Sequence, residues 1–166
     1  SSNDNIIVRG RLYDDALILN SGIDFNGKTV CELGGRDSIL SSYLTKYVDK
    51  VYVSDYFEEW GKGTEYDLGD YDYWKNMWTE CALDKSKIIC ERQNALKTTY
   101  PDGFFDVIIL TSVIEHAYIQ HAHNGEYDGD ILVMQEALRI CKSGGYILIS
   151  VNFTSELSSW TSGTFF

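Results

Sequence analysis

The 166-residue chain carries 25 acidic against 14 basic side chains, a formal net charge of −11, with 44% apolar residues. That length and apolar content describe a single domain able to build its own core, and the negative charge argues against nucleic acid or an anionic membrane as partner, since both are bound through basic faces. No apolar run reaches the roughly 20 residues of a membrane-spanning helix and no basic stretch followed by an apolar core opens the chain, so a soluble, cytoplasmic protein is expected.

In chain order, residues 1–27 read as a helical lead-in. Its helix is expected over residues 13–20, where Ala16, Leu17 and Leu19 are apolar. A β-rich run at 29–33 follows and ends in Glu32-Leu33, then passes through Gly34-Gly35-Arg36-Asp37-Ser38 into a helical stretch at 39–44. Strand, glycine turn and helix in this order open a nucleotide-binding α/β domain, in which small residues let a ligand approach the backbone. A dinucleotide site would need Gly-x-Gly-x-x-Gly to seat a pyrophosphate, and Arg36 and Ile39 stand where its later glycines belong. Glu32 points elsewhere: a carboxylate there repels a diphosphate and attracts an ammonium or sulfonium group. S-adenosylmethionine carries both cations and no phosphate.

The second run, at 50–54, ends at Asp55, about twenty residues after Gly34, where an acid at a strand tip grips a ribose diol in such folds. Tyr56 and Phe57 follow and offer flat surface to a base. The segment 58–73 is rich in glycine, acids and tyrosine, and reads as a lid or substrate wall, with Trp60, Tyr66, Tyr71 and Tyr73 as its aromatics. Runs at 87–91, 105–110 and 146–151 supply three more strands, and a helix over 131–141 ends at Lys142-Ser143-Gly144-Gly145. Short strands alternating with helices predict a parallel sheet wrapped by helices. Cys31, Cys81, Cys90 and Cys141 contain no Cys-x-x-Cys pair and read as small core residues.

From about residue 28 to about residue 152, the order of these motifs resembles the class I S-adenosylmethionine-dependent methyltransferases. The first motif, acidic-apolar-Gly-x-Gly-x-Gly, is matched at Glu32, Gly34 and Gly35 and departs from the family at Arg36 and Ser38. The resemblance implies an α/β fold with a Rossmann-like parallel sheet flanked by helices, truncated here after the fifth strand, because the family adds a two-stranded hairpin for which residues 154–166 are too short. The expected layout is one S-adenosylmethionine-binding domain over 1–166 with its core at 28–153 and a tail at 154–166 cut from a longer chain. Otherwise the exposed edge of the fifth strand would pair with a second subunit or further domain.

The resemblance also implies roles. Glu32, Gly34, Gly35, Arg36, Ser38, Asp55, Tyr56, Asn94, Ala95, Thr111 and Ser112 would surround the cofactor, with Asn94 at the adenine edge, although Asn94 is equally readable as a turn residue. After the fourth strand, Glu115 and His116 would border the transferred methyl, and a histidine is tuned to accept a hydroxyl proton at neutral pH. Related O-methyltransferases hold a divalent metal with Glu-x-x-Glu-His, but Ser112 replaces the first glutamate here. His121, His123, Glu126, Asp128 and Asp130 are an alternative metal set that reads more simply as a hydrated loop. The expected function is methyl transfer to a small-molecule or glycan acceptor, preferably a sugar hydroxyl. The alternative is a catalytically silent domain of the same fold, serving assembly or regulation.

Overall fold

The computed structural model describes residues 11–57, 70–117 and 128–151. Along the chain it has α1 (Arg11–Leu19), β1 (Thr29–Leu33), α2 (Leu40–Leu44), β2 (Lys50–Asp55), α3 (Tyr71–Cys81), β3 (Ile88–Arg92), β4 (Phe105–Thr111), α4 (Gly129–Ile140) and β5 (Cys141–Ser150). The strands lie in the order β3-β2-β1-β4-β5, and every neighbouring pair is parallel. This is the expected Rossmann-like sheet. The order reverses between β1 and β4, so the loops leaving their carboxyl ends diverge and open a crevice there.

Both faces of the sheet are apolar, as a parallel sheet requires. On one face Val30, Val51, Val107 and Ile109 pack against Ile18, Phe25, Leu40, Leu44 and Val48, and Val53 meets Trp74 and Trp78 of α3. On the other, Cys31, Leu33, Ile108 and Leu110 pack against Val133, Ala137 and Ile140 of α4. Each such side chain taken fully from water contributes roughly 1.5–3 kcal/mol. Asp70 starts α3 as a side-chain cap, accepting from the Tyr73 amide at 2.9 Å.

No helix forms between β3 and β4. Pro101 and Gly103, the latter at φ +60°, suit a loop, and its aromatics Tyr100 and Phe104 close the sheet face against Tyr52 and Phe105. Buried Glu136 of α4 holds the loop by accepting from the Thr98 amide at 2.7 Å and the Thr98 hydroxyl at 2.6 Å.

Several expectations require correction. The lead-in helix already includes Arg11 and runs to Leu19, and it turns inward Asp15 and Ile18; Ala16, Leu17 and Leu19 are exposed. Tyr71 and Tyr73 belong to α3 and not to the loop before it. The last helix stops at Ile140, and Cys141 already pairs with Phe105, so Lys142-Ser143-Gly144-Gly145 form an irregularity inside β5. Gly145 is required there because a Cβ would lie 2.8 Å from the Asp106 carbonyl oxygen and 3.0 Å from that of Lys142. The cysteines are all free, but only Cys31 is a core residue, and Cys81 is exposed.

Candidate functional site

The turn after β1 is built by its own packing. Gly34 has φ +72°, and a Cβ on it would collide with Cγ2 of Val113, while one on Gly35 would lie 2.5 Å from Cγ2 of Val53. The glycines thus let the β1, β2 and β4 ends close together, and the Gly35 amide donates to the Ser54 carbonyl at 2.9 Å. Ser38 is buried, its hydroxyl accepts from the Leu40 amide at 3.1 Å, and its carbonyl accepts from the Trp78 indole at 3.1 Å. The turn is thereby fixed to α2 and α3 without the third glycine.

Glu32 is 1% exposed. Its Oε2 accepts from the Ser41 amide at 3.2 Å and hydroxyl at 2.5 Å, whereas Oε1 is buried and meets no donor among the described residues. Asp55, the last residue of β2, accepts from the Arg36 amide at 3.3 Å through one oxygen and from the Phe57 amide at 3.2 Å through the other. Its carboxylate therefore joins the turns that follow β1 and β2. Tyr56 is exposed, and Phe57 packs edge-on to Tyr71 and Trp78 with the guanidinium groups of Arg36 and Arg92 5.4 and 5.9 Å from its ring centre.

Two residues at the crevice were missed in the sequence. Arg11 of α1 donates to the Thr111 carbonyl, reaches those of Gly34 and Arg36 at 3.5 and 3.4 Å, and pairs with Asp37 at 2.8 Å. Asp15, one helical turn on, is 8% exposed, and burial beside Glu32 pushes its carboxyl up to about 7. Burial raises Asp37 as well, with Arg11 opposing the shift. The available signal was the i, i+4 spacing of a cation and an acid, which the apolar residues between them disguised as a solvent face.

Asn94 sits in the turn after β3, and its side-chain oxygen accepts from the Leu96 amide at 2.9 Å, so the turn role is present; Ala95 follows it, half-buried. At the end of β4, Thr111 is buried with a hydroxyl that has no partner among the described residues, and the Ser112 amide donates to the Ser150 carbonyl at 2.9 Å. Residues 114–117 are helical, with Glu115 half-buried and His116 exposed. The aromatics Trp60 and Tyr66, and His121, His123 and Glu126, lie outside the described residues, among which no group of three or more potential metal ligands occurs. No helix among them is long and apolar enough to cross a membrane.

Among the described residues three that are not glycine have positive φ: Asp37 at 64°, Phe57 at 54° and Ser112 at 50°. They follow β1, β2 and β4, so the strained backbone is gathered at the crevice, where such strain tends to serve function. The crevice combines the acids Asp15, Glu32, Asp37 and Asp55 with the guanidinium groups of Arg11 and Arg36, an arrangement suited to a ligand carrying more positive than negative charge.

A family model described as a methyltransferase domain matches residues 7–163. No curated protein matches the chain by sequence. Among solved structures, YcgJ of Bacillus subtilis is similar at 14% identity and TM-score 0.63, over 82% of this chain and 49% of its own. Haemonchus contortus phosphoethanolamine N-methyltransferase 1, solved with phosphoethanolamine and S-adenosylhomocysteine, matches at 15% and 0.59, over 84% and 25%. An S-adenosylmethionine-dependent methyltransferase of Aquifex aeolicus matches at 20% and 0.58, over 85% and 66%. The chain spans half or less of the first two and about two-thirds of the third; at these identities the likeness is one of fold.

Proposed function

The chain belongs to a methyltransferase domain family, and from that membership we propose that it binds S-adenosylmethionine over the ends of β1, β2 and β4 and methylates a small polar acceptor, an oxygen such as a sugar hydroxyl foremost. The observation that carries the reading is the Glu32 carboxylate, buried and held by Ser41 on one side while Oε1 has no donor among the described residues. A buried carboxylate oxygen without a partner is costly, and a cation arriving in the crevice removes that cost. The ammonium and sulfonium of the donor fit this position, and its ribose fits Asp55.

When bound, the cofactor supplies a methyl carbon made electrophilic by a positively charged sulfur. The chain's own residues bind and orient. Glu32 would hold the amine and Asp55 the ribose diol. Tyr56 and Phe57 would offer the adenine a flat surface, and Asn94 and Ala95 its edge. Gly34, Gly35, Arg36, Ser38, Thr111 and Ser112 would form the remaining wall. His116, exposed after β4, would accept the acceptor's proton, with Glu115 beside it positioning the ring. A neutral hydroxyl is favoured as acceptor because the net charge of −11 opposes anionic substrates and a hydroxyl needs the base that His116 provides.

Calorimetry with S-adenosylhomocysteine tests the first step: binding in the micromolar range is expected, with loss in Asp55→Ala. No binding at tens of micromolar would sink the enzyme reading and favour the silent domain, for which the protein-engaged Arg36 and Ser38 speak. Turnover on hydroxyl acceptors should fall in His116→Ala most steeply at neutral pH. Full activity of that variant across neutral pH would remove His116 as base.

A further inference from the structure

The buried acid Asp15 has no role in this scheme. Asp15 occupies the inward face of α1, a position between Arg11 and Ile18 where a helix ordinarily buries an apolar residue. It is 8% exposed, and its Oδ1 is buried with no hydrogen-bond partner among the described residues. The charged groups that act on it are Arg11 and Asp14 from its own helix, Glu32 from β1 and Asp37 from the turn beyond. Arg11 is the single cation among these, and its guanidinium is already engaged by Asp37 and by the carbonyls of Thr111, Gly34 and Arg36. Three acids therefore act on a carboxyl group that has no further cation among the described residues, beside the buried Oε1 of Glu32, which likewise has no hydrogen-bond partner among them.

We propose that Asp15 is a ligand for the cationic end of the methyl donor and, with Glu32, makes the crevice prefer the sulfonium form to the neutral thioether product. The inference rests on the cofactor reading above and deepens it. Its physical basis is the difference in charge between the two molecules. The donor brings two positive groups and the product one, so each carboxylate facing that end favours the donor. Burial, and then Glu32, raise the Asp15 carboxyl to about 7, with Arg11 opposing them. In the empty crevice near neutral pH much of Asp15 is thus protonated, and a cation that binds beside it drives the proton to solvent. Product departure, which removes one positive charge, lets the proton return.

The test is calorimetry of S-adenosylmethionine and S-adenosylhomocysteine, without acceptor, from pH 5.5 to 8.5 in buffers of different ionisation enthalpy, on wild type and Asp15→Asn. Wild type is expected to release protons on binding the donor, with an affinity that rises up to about tenfold per pH unit below neutrality and levels off above it. Asp15→Asn should lose that part of the linkage and lose about tenfold in donor affinity at pH 8, with a smaller loss for the product. The donor's own amine titrates equally with both proteins, so the difference between them isolates the carboxyl group. Because Asp15→Asn keeps the side chain's shape, a thermal melt at pH 6 confirms its fold, and the wild-type proton count needs no variant.

Donor binding by wild type with no proton release attributable to Asp15, or an unchanged linkage in Asp15→Asn, would overturn this inference while leaving the cofactor reading intact. Failure of wild type to bind either molecule at any pH would overturn both.

Discussion

Replacing Glu136 by alanine should release the loop that joins β3 to β4 and cost the domain about 3 kcal/mol. The Glu136 carboxylate is buried and accepts four hydrogen bonds: from the Thr98 amide at 2.7 Å, the Thr98 hydroxyl at 2.6 Å, and Arg139 Nε and Nη2 at 2.9 and 2.6 Å. Hydrogen bonds to a charged group contribute roughly 1.5–3 kcal/mol each but do not add. Removing one member of a buried pair costs about 3–5 kcal/mol. The lower end applies because Arg139 is one-third exposed and keeps Asp102 at 2.5 Å, so its charge is not stranded. In a domain of this size a loss of about 3 kcal/mol lowers Tm by roughly 6–12 °C. The donors around Glu136, Arg139 first and then Thr98, outweigh its burial and hold its carboxyl below the ordinary value of 4.5. In that window the unfolded chain binds more protons than the folded one, so the stabilisation is present above pH 4.5 and is lost as pH falls through the folded-state value. Urea unfolding of wild type and variant should therefore show a full gap at pH 7 that narrows on acidification. A gap under about 1 kcal/mol at pH 7, or one that does not change with pH, would refute the clamp.

Gly34→Ala places a Cβ against Val113 in a left-handed backbone and should cost about 2–4 kcal/mol from strain and overpacking. Thermal denaturation should show the loss, and Val113→Ala in the same chain should recover part of it; strict additivity would mean that the contact is not the cause. Trp78→Phe removes the indole bond to the Ser38 carbonyl and leaves a void, so a loss of roughly 2 kcal/mol in urea is expected, together with weaker S-adenosylhomocysteine binding, because the turn after β1 is tied to α3 through that bond. Gly145→Ala meets the carbonyl oxygens of Asp106 and Lys142, and a fall in Tm of several degrees is expected; an unchanged melt would show that the β5 irregularity relaxes freely.

The element types were legible because each rests on a local pattern. The apolar runs that became β1, β2 and β4 lie within a residue of their expected ends, since a parallel strand buried on both faces must be apolar at nearly every position. The acids Glu32 and Asp55 were readable by their place near strand tips, where register sets Glu32 of β1 opposite Val53 of β2 and Asp55 of β2 opposite Arg92 of β3. The β5 start was not, because Gly144-Gly145 is an ordinary helix-stop signal and only pairing of Cys141 with Phe105 reveals strand on its near side.

Sequence alone thus determined that this chain makes a parallel α/β sheet and that its first glycine turn carries an acid in place of a phosphate cradle. Tertiary structure decided which side of α1 faces in. Ala16, Leu17 and Leu19 mark the helix as apolar in the sequence, yet all three are exposed, and Arg11 and Asp15 are turned toward the strand ends. The reason is physical: the partners that satisfy Arg11 are carbonyls of Gly34, Arg36 and Thr111, groups from distant parts of the chain that meet only after β1 and β4 have paired.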